Sequence, residues 1–187
     1  ARHDFVLYIG PPLAAAGRPA VKQLMVVPEK CTGCGRCELA CSFQHFGVFD
    51  PSLSAIHVVR LEREPLDAPV FCIQCGLCAM EGVCPHDAIY RDPNTFAVVI
   101  DRSRCDGCER CVMVCPYGVI TIDRLEKKAV KCDLCGGDPA CVKACPENAL
   151  VYVDVNEAAY YKRLFFAKLQ EKAMIPIVPY PAPRASS

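Results

Sequence analysis

The sequence predicts an α+β fold of small tandem modules, each built from short β-hairpins and short helices around a cysteine-lined site, with an extension at either end. Three observations predict it: 16 cysteines in 187 residues, their recurrence as four groups of four, and β-branched runs of strand length between the groups.

Composition narrows the class first. The chain is 52% hydrophobic and balances 21 Lys+Arg against 21 Asp+Glu. These values exclude a disordered chain, a collagen and a basic nucleic-acid-binding domain. No run reaches the roughly 18 apolar residues a membrane span needs. Residues 5–9 are too short for the apolar region of a signal peptide, and Gly10-Pro11-Pro12 would break it. The expected setting is a cytoplasmic, reducing compartment, where cysteines serve as metal ligands more readily than as disulfides.

The four groups are Cys31, Cys34, Cys37, Cys41; Cys72, Cys75, Cys78, Cys84; Cys105, Cys108, Cys111, Cys115; and Cys132, Cys135, Cys141, Cys145. The last three end in Cys-Pro, at Pro85, Pro116 and Pro146, while the first ends in Cys41-Ser42. Residues 21–27, 55–60, 97–101, 119–123 and 150–153 carry β-branched side chains and read as hairpin strands. The segments after Pro85 and Pro146 run on into such strands. So interrupted a chain buries little apolar core, and metal sites are expected to supply much of its cohesion. The expected organisation is an N-terminal extension over 1–20, a cysteine-bearing region over 21–155, and a C-terminal helix with a proline-rich arm over 156–187.

The chemistry lies in the spacing. Three cysteines at C-x2-C-x2-C wrap a tight loop whose thiolates converge on three corners of an iron-sulfur cubane. The fourth corner needs a more distant thiolate. In the bacterial run C-x2-C-x2-C-x3-C-P that fourth cysteine serves the other cluster of a pair. Group three matches this run outright, and group one matches it apart from Ser42. Groups two and four place five residues before Cys84 and Cys141 but keep four cysteines and the final proline. The count therefore points to four 4Fe-4S clusters with all sixteen cysteines as iron ligands. Structural zinc also uses C-x2-C pairs, but neither a third cysteine two residues on nor a Cys-Pro terminus is what a zinc ribbon needs. A disulfide framework would leave crowded triplets without partners.

In these motifs the chain resembles the four-cluster ferredoxin-type electron-transfer subunits that serve molybdenum and tungsten oxidoreductases, formate dehydrogenases and hydrogenase complexes. The likeness covers about residues 20–155 and is most specific from Lys131-Cys132-Asp133-Leu134-Cys135-Gly136-Gly137-Asp138-Pro139 through Cys145-Pro146. Cys41-Ser42-Phe43-Gln44-His45-Phe46-Gly47-Val48-Phe49-Asp50-Pro51, with 54–58, is similar to the small iron-sulfur partners of tungsten-dependent aldehyde oxidoreductases. One departure stands in group two, where such subunits carry four residues before the third cysteine and this chain has Cys75-Gly76-Leu77-Cys78. A neighbour rule would pair group one with two and three with four. The resemblance implies instead that one pairs with four and two with three, in two pseudo-symmetric bacterial ferredoxin-like modules. Its ligand sets are Cys31, Cys34, Cys37 with Cys145; Cys132, Cys135, Cys141 with Cys41; Cys72, Cys75, Cys78 with Cys115; and Cys105, Cys108, Cys111 with Cys84.

A cubane held by four thiolates exchanges one electron and offers no open corner to a substrate, so the expected role is electron transfer without catalysis. One reading is a dedicated subunit of a hetero-oligomer, conducting between a large catalytic tungsten or molybdenum oxidoreductase subunit and a flavin subunit or soluble acceptor. The alternative is a free polyferredoxin, or the iron-sulfur subunit of a hydrogenase or formate dehydrogenase. Lys30, Arg36, Arg110, Lys131 and Lys143 neighbour the cysteines and are candidates to raise individual potentials; the ordinary reading of each is a solvated surface charge. His45 and His86 follow Cys41 and Cys84 and are candidates for hydrogen bonds near a cluster or for partner contacts. His3, His57 and Tyr117 read as surface or packing residues.

Beyond the repeat, Asp154 and Glu157 have the spacing of a capping box, and Ala158, Tyr161, Leu164, Phe165 and Leu169 recur at helical spacing. The expected helix is roughly 15 to 18 residues long. Residues 175–183 are too proline-rich for helix and are expected to lie extended, as a docking arm together with 10–19. Tyr161, Phe165, Leu169 and 175–180 are expected to bury against a neighbouring subunit.

Overall fold

The computed structural model describes residues 21–61 and 66–173. The expected N-terminal arm and proline-rich tail lie outside the described residues. The elements in chain order are β1 (Lys22–Val26), α1 (Arg36–Phe46), β2 (Ile56–Leu61), β3 (Leu66–Phe71), β4 (Ile89–Arg91), β5 (Val98–Ile100), α2 (Arg110–Val114), β6 (Thr121–Ile122), β7 (Ala129–Val130), α3 (Ala140–Lys143), β8 (Leu150–Asp154) and α4 (Val155–Ala173). The strands form four antiparallel two-stranded ladders, β1 with β8, β2 with β3, β4 with β5 and β6 with β7. This is a repeated α+β fold of small ferredoxin-like modules.

A two-stranded ladder is marginal alone, so each packs against cysteine-bearing loops and short helices. One core gathers Leu24, Cys37, Cys41, Ile56, Phe71, Leu134, Cys141 and Leu150, drawn from both ends of the region. A second gathers Cys78, Val98, Cys111, Ile120 and Ala129 from its middle. The register Lys22↔Asp154 to Val26↔Leu150 brings the first and last strands together.

Two strands fall outside the expected runs. Pro69 argues against a strand at β3, yet β3 lies in a two-stranded ladder where Pro69 sits opposite Val58 and its missing N–H leaves no second neighbour unpaired. β7 is only two residues long, too short to show a periodicity.

The Ser42 departure has a clear consequence. Proline disfavours helical backbone in the residue before it, so α2 ends ahead of Cys115-Pro116 and α3 ahead of Cys145-Pro146. Without proline, α1 runs through Cys41 to Phe46. The Ser42 hydroxyl is fully buried, donating to the Leu39 carbonyl at 3.1 Å and accepting from the Asp50 amide at 3.1 Å.

α4 starts where the cap spacing places it. Asp154 Oδ1 accepts from the amides of Asn156 and Glu157 at 2.8 and 3.1 Å. The helix lies on the protein's own β1–β8 ladder, with Ala158 fully buried, Lys162 donating to Gln23 at 2.8 Å and Lys168 to Glu29 at 2.6 Å. Tyr160, Leu164, Phe165 and Phe166 remain exposed.

Candidate metal centres

Backbone conformation repeats with the cysteines. Between the first two cysteines of each group, the second intervening residue is left-handed: Gly33, Gln74, Gly107 and Leu134 have φ of 66°, 60°, 78° and 60°. The residue after the second cysteine is left-handed too, at Gly35, Gly76, Glu109 and Gly136. Two such turns in succession curl each triplet so that its thiols face inward. That Gln74, Leu134 and Glu109 adopt this conformation without being glycine indicates that the surroundings impose it. After the three Cys-Pro pairs, Asp87, Gly118 and Asn148 are again left-handed, which turns the chain into the following strand.

Distant parts of the chain then meet. Cys31, Cys34 and Cys37 line one cavity with Cys145. Cys105, Cys108 and Cys111 line a second with Cys84. Cys72, Cys75 and Cys78 line a third with Cys115. The remaining four, Cys41, Cys132, Cys135 and Cys141, gather close enough for the charges of Cys41 and Cys135 to act on Cys141 and that of Cys41 on Cys132. The structure thus brings group one to group four and group two to group three, rather than one to two and three to four. The short C-x2-C from Cys75 to Cys78 leaves Cys78 buried beside Cys72 and Cys75.

Burial follows the same repeat. The third cysteine of every triplet, Cys37, Cys78, Cys111 and Cys141, is buried, whereas Cys34, Cys75 and Cys108 are exposed. Burial pushes the Cys37 and Cys141 thiols up to about 12 and Cys111 up to about 11, with neighbouring Glu38 or thiolates adding to it. Burial also raises Cys132 and Cys78, opposed at both by the positive charge of Lys131. Cys41 goes the other way. Burial would raise it, but hydrogen bonds from His45, the Ala55 amide and the Ser54 hydroxyl hold it below the ordinary thiol value.

His45 contacts two members of that fourth quartet, Cys135 and Cys41. Its Nε2 lies 3.7 Å from Cys135 Sγ and 3.4 Å from Asp133 Oδ1. Contacts with Cys135 and then Cys41 raise it to about 10, against the effect of burial. His86 instead pairs with Asp106 at 2.7 Å, and His57 Nδ1 lies 4.0 Å from Glu38. Of the five cations singled out near the cysteines, Lys30, Arg36, Arg110 and Lys143 are exposed and Lys131 alone is buried.

The donor set suits iron-sulfur chemistry. All sixteen cysteines are free thiols, and metal binding requires them as thiolates. Backbone amides already point at several sulfurs: Ala88 to Cys84 at 3.3 Å, Ala149 to Cys145 at 3.2 Å, Ala129 to Cys105 at 3.4 Å, Gln74 to Cys72 at 3.4 Å and Ala55 to Cys41 at 3.4 Å. Such N–H to sulfur bonds stabilise anionic sulfur and tune a bound cluster.

Sequence reasoning missed Gln74. Its Nε2 donates to the Cys132 carbonyl at 2.9 Å and its Oε1 accepts from the Val98 amide at 2.9 Å, tying the two cores together. A polar residue inside a C-x2-C loop gives no local sign of so distant a partner.

These cysteine-lined loops on small α+β modules define a ferredoxin-type protein. The chain belongs to the ferredoxin-type iron-sulfur proteins, as its relatives show, and two models described as 4Fe-4S dicluster domains match residues 66–155 and 30–89. It is 38% identical over 154 residues to the polyferredoxin-like subunit of an aliphatic sulfonate oxidoreductase from Pyrococcus furiosus, covering 81% of this chain and 88% of that protein. It is 35% identical to the electron transport protein HydN of Escherichia coli, covering 69% and 86% of the two chains. An uncharacterized ferredoxin of Methanocaldococcus jannaschii is 33% identical, with 83% and 87% covered. The chain is accordingly a ferredoxin-type iron-sulfur electron-transfer protein. No helix among the described residues is long and apolar enough to cross a membrane.

Proposed function

We propose that the chain holds four 4Fe-4S clusters and works in the cytoplasm as a non-catalytic, polyferredoxin-type conducting subunit of an oxidoreductase complex. The ligand sets are Cys31, Cys34, Cys37, Cys145; Cys41, Cys132, Cys135, Cys141; Cys72, Cys75, Cys78, Cys115; and Cys84, Cys105, Cys108, Cys111. The observation that carries the reading is the gathering of sixteen free thiols into four quartets, each drawing on two groups. Each cluster, when bound, accepts or releases one electron. The chain's own residues do the rest: the buried third cysteines keep water from the inner side of each site, the amide donors stabilise charge at sulfur, and the exposed Cys34, Cys75 and Cys108 bring three sites to the surface where a partner can approach.

A polyferredoxin-like subunit, the description carried by the Pyrococcus furiosus relative, is the better supported form of this reading. The narrower one, with a large tungsten or molybdenum aldehyde oxidoreductase subunit and a flavin subunit as partners, rests on residues 41–58. The experiment is anaerobic isolation of the native complex with iron, sulfide and co-purifying chains determined. About sixteen iron and sixteen sulfide per chain, with a larger oxidoreductase chain bound, is the expected result. Iron near twelve refutes the four-cluster count, zinc without sulfide refutes iron-sulfur chemistry, and a monomer without partners refutes the subunit role.

A further inference from the structure

Lys131 is 6% exposed, and its Nζ donates to three neutral oxygens: the Val98 carbonyl, the Cys132 carbonyl at 2.7 Å and Gln74 Oε1 at 3.3 Å. Among the described residues no carboxylate lies within 4.0 Å of it. Asp133 lines a small cavity in common with Lys131 but is engaged by His45 at 3.4 Å and by the Cys135 amide at 2.8 Å. A buried ammonium without an anion is costly, and neutral dipoles offset only part of that cost. Some negative charge nearby has to complete the balance.

Its three acceptors show where that charge is. Gln74 belongs to the Cys72–Cys75 loop, and Val98 lines the cavity of Cys72, Cys75, Cys78 and Cys115. Cys132 belongs to the other module's quartet with Cys41, Cys135 and Cys141. The ammonium therefore stands at the junction of two quartets, bonded to backbone or side chain from each. A cubane with four thiolates carries about −2 when oxidised and gains one more negative charge on one-electron reduction. We propose that Lys131 is the buried counter-charge shared by these two quartets, and that it selectively raises the reduction potentials of the two clusters they hold. This rests on the four-cluster reading. No bond at Lys131 is made or broken; the fixed positive charge favours the state with the extra electron, and that electron comes from the reductant or the redox partner.

The test is a potentiometric titration of the full-length cluster-loaded protein with dithionite, followed by electron paramagnetic resonance. In Lys131→Met two of the four clusters should become harder to reduce by at least tenfold in equilibrium constant, about 59 mV each, with the other two unmoved. Gln74→Glu keeps the lysine and places a carboxylate where Oε1 now lies 3.3 Å from Nζ, so the same two clusters should shift in the same direction. Lys143→Met, which removes an exposed cation paired with Asp138, should move none. The inference is overturned if Lys131→Met retains its iron with all four potentials unmoved or all four equally shifted. Should that variant lose iron, unmoved potentials in Gln74→Glu overturn it alone. Wild-type protein with fewer than four clusters instead overturns the functional reading, and the shared counter-charge falls with it.

Discussion

Gly107 lies between Cys105 and Cys108 with φ +78°, and a Cβ there would stand 2.0 Å from the carbonyl oxygen of Lys127. That oxygen belongs to the β6–β7 turn, which is held by Asp123 Oδ1 accepting from the amides of Leu125 and Glu126 at 2.8 and 2.6 Å, and by the Asp123 amide bonding the Lys128 carbonyl at 2.9 Å. No side-chain rotation relieves the clash, because both sides are backbone. Gly107→Ala should cost about 1–2 kcal/mol for left-handed backbone, and roughly another 2 kcal/mol for one or two turn hydrogen bonds displaced. Gly118→Ala is the control: its φ is +61° but nothing lies within 4 Å of the added Cβ, so only the first cost of about 1–2 kcal/mol applies. The assay is iron per chain after anaerobic purification. Gly107→Ala should fall toward about twelve as the Cys84, Cys105, Cys108, Cys111 site fails, while Gly118→Ala should stay near about sixteen. Equal iron in Gly107→Ala and wild type, or equal losses in the two variants, would refute the reasoning.

Removing iron with a chelator should unfold the region spanning 21–154, because ladders of two to six residues cannot stand without their metal sites; a cooperative thermal transition in metal-free protein would contradict this. Truncation from residue 156 onward should leave iron content unchanged, since the last cysteine is Cys145, but lower stability by about 2–3 kcal/mol through loss of the buried Ala158 contact and the Lys162 and Lys168 bonds to β1 and its flank; iron analysis beside a thermal melt checks both parts. Asp123 is fully buried, and although burial alone would raise its carboxyl, the Glu126 and Lys128 amides and Arg102 hold it below the ordinary carboxylate value. Its contribution is therefore present above the ordinary carboxylate pKa and lost as pH falls through the lowered native value, so Asp123→Asn should flatten the acid limb of stability measured by urea unfolding and cost about 3 kcal/mol at neutral pH.

Much of this was legible in the cysteine spacing, because a ligand triplet is a local pattern that dictates a local loop. The strands at β1, β2, β5, β6 and β8 likewise fall where β-branched residues cluster. What the sequence conceals is long-range. Pairing of group one with four depends on β1 meeting β8 across the whole region, and from the residues alone a neighbour rule reads equally well. Gln74 looks like any polar loop residue, and Lys131 like any flanking cation; only the three-dimensional meeting of the Cys72–Cys75 loop with Cys132 separates Lys131 from exposed Lys30, Arg36, Arg110 and Lys143. α4 shows the reverse case, since its cap is readable at Asp154 but the surface it covers is not.

The ladder between β1 and β8 also sets a timetable. Synthesis proceeds from the N-terminus at roughly 5–20 residues per second, so the first triplet leaves the ribosome long before Cys145, the thiol that shares its cavity. The quartets built from groups two and three are complete once Cys115 has emerged. In a nascent chain the middle of the protein can therefore mature first, while Cys31, Cys34 and Cys37 wait as unmatched thiols for the final strand. The first triplet to be synthesised is thus the last to gain its fourth thiol.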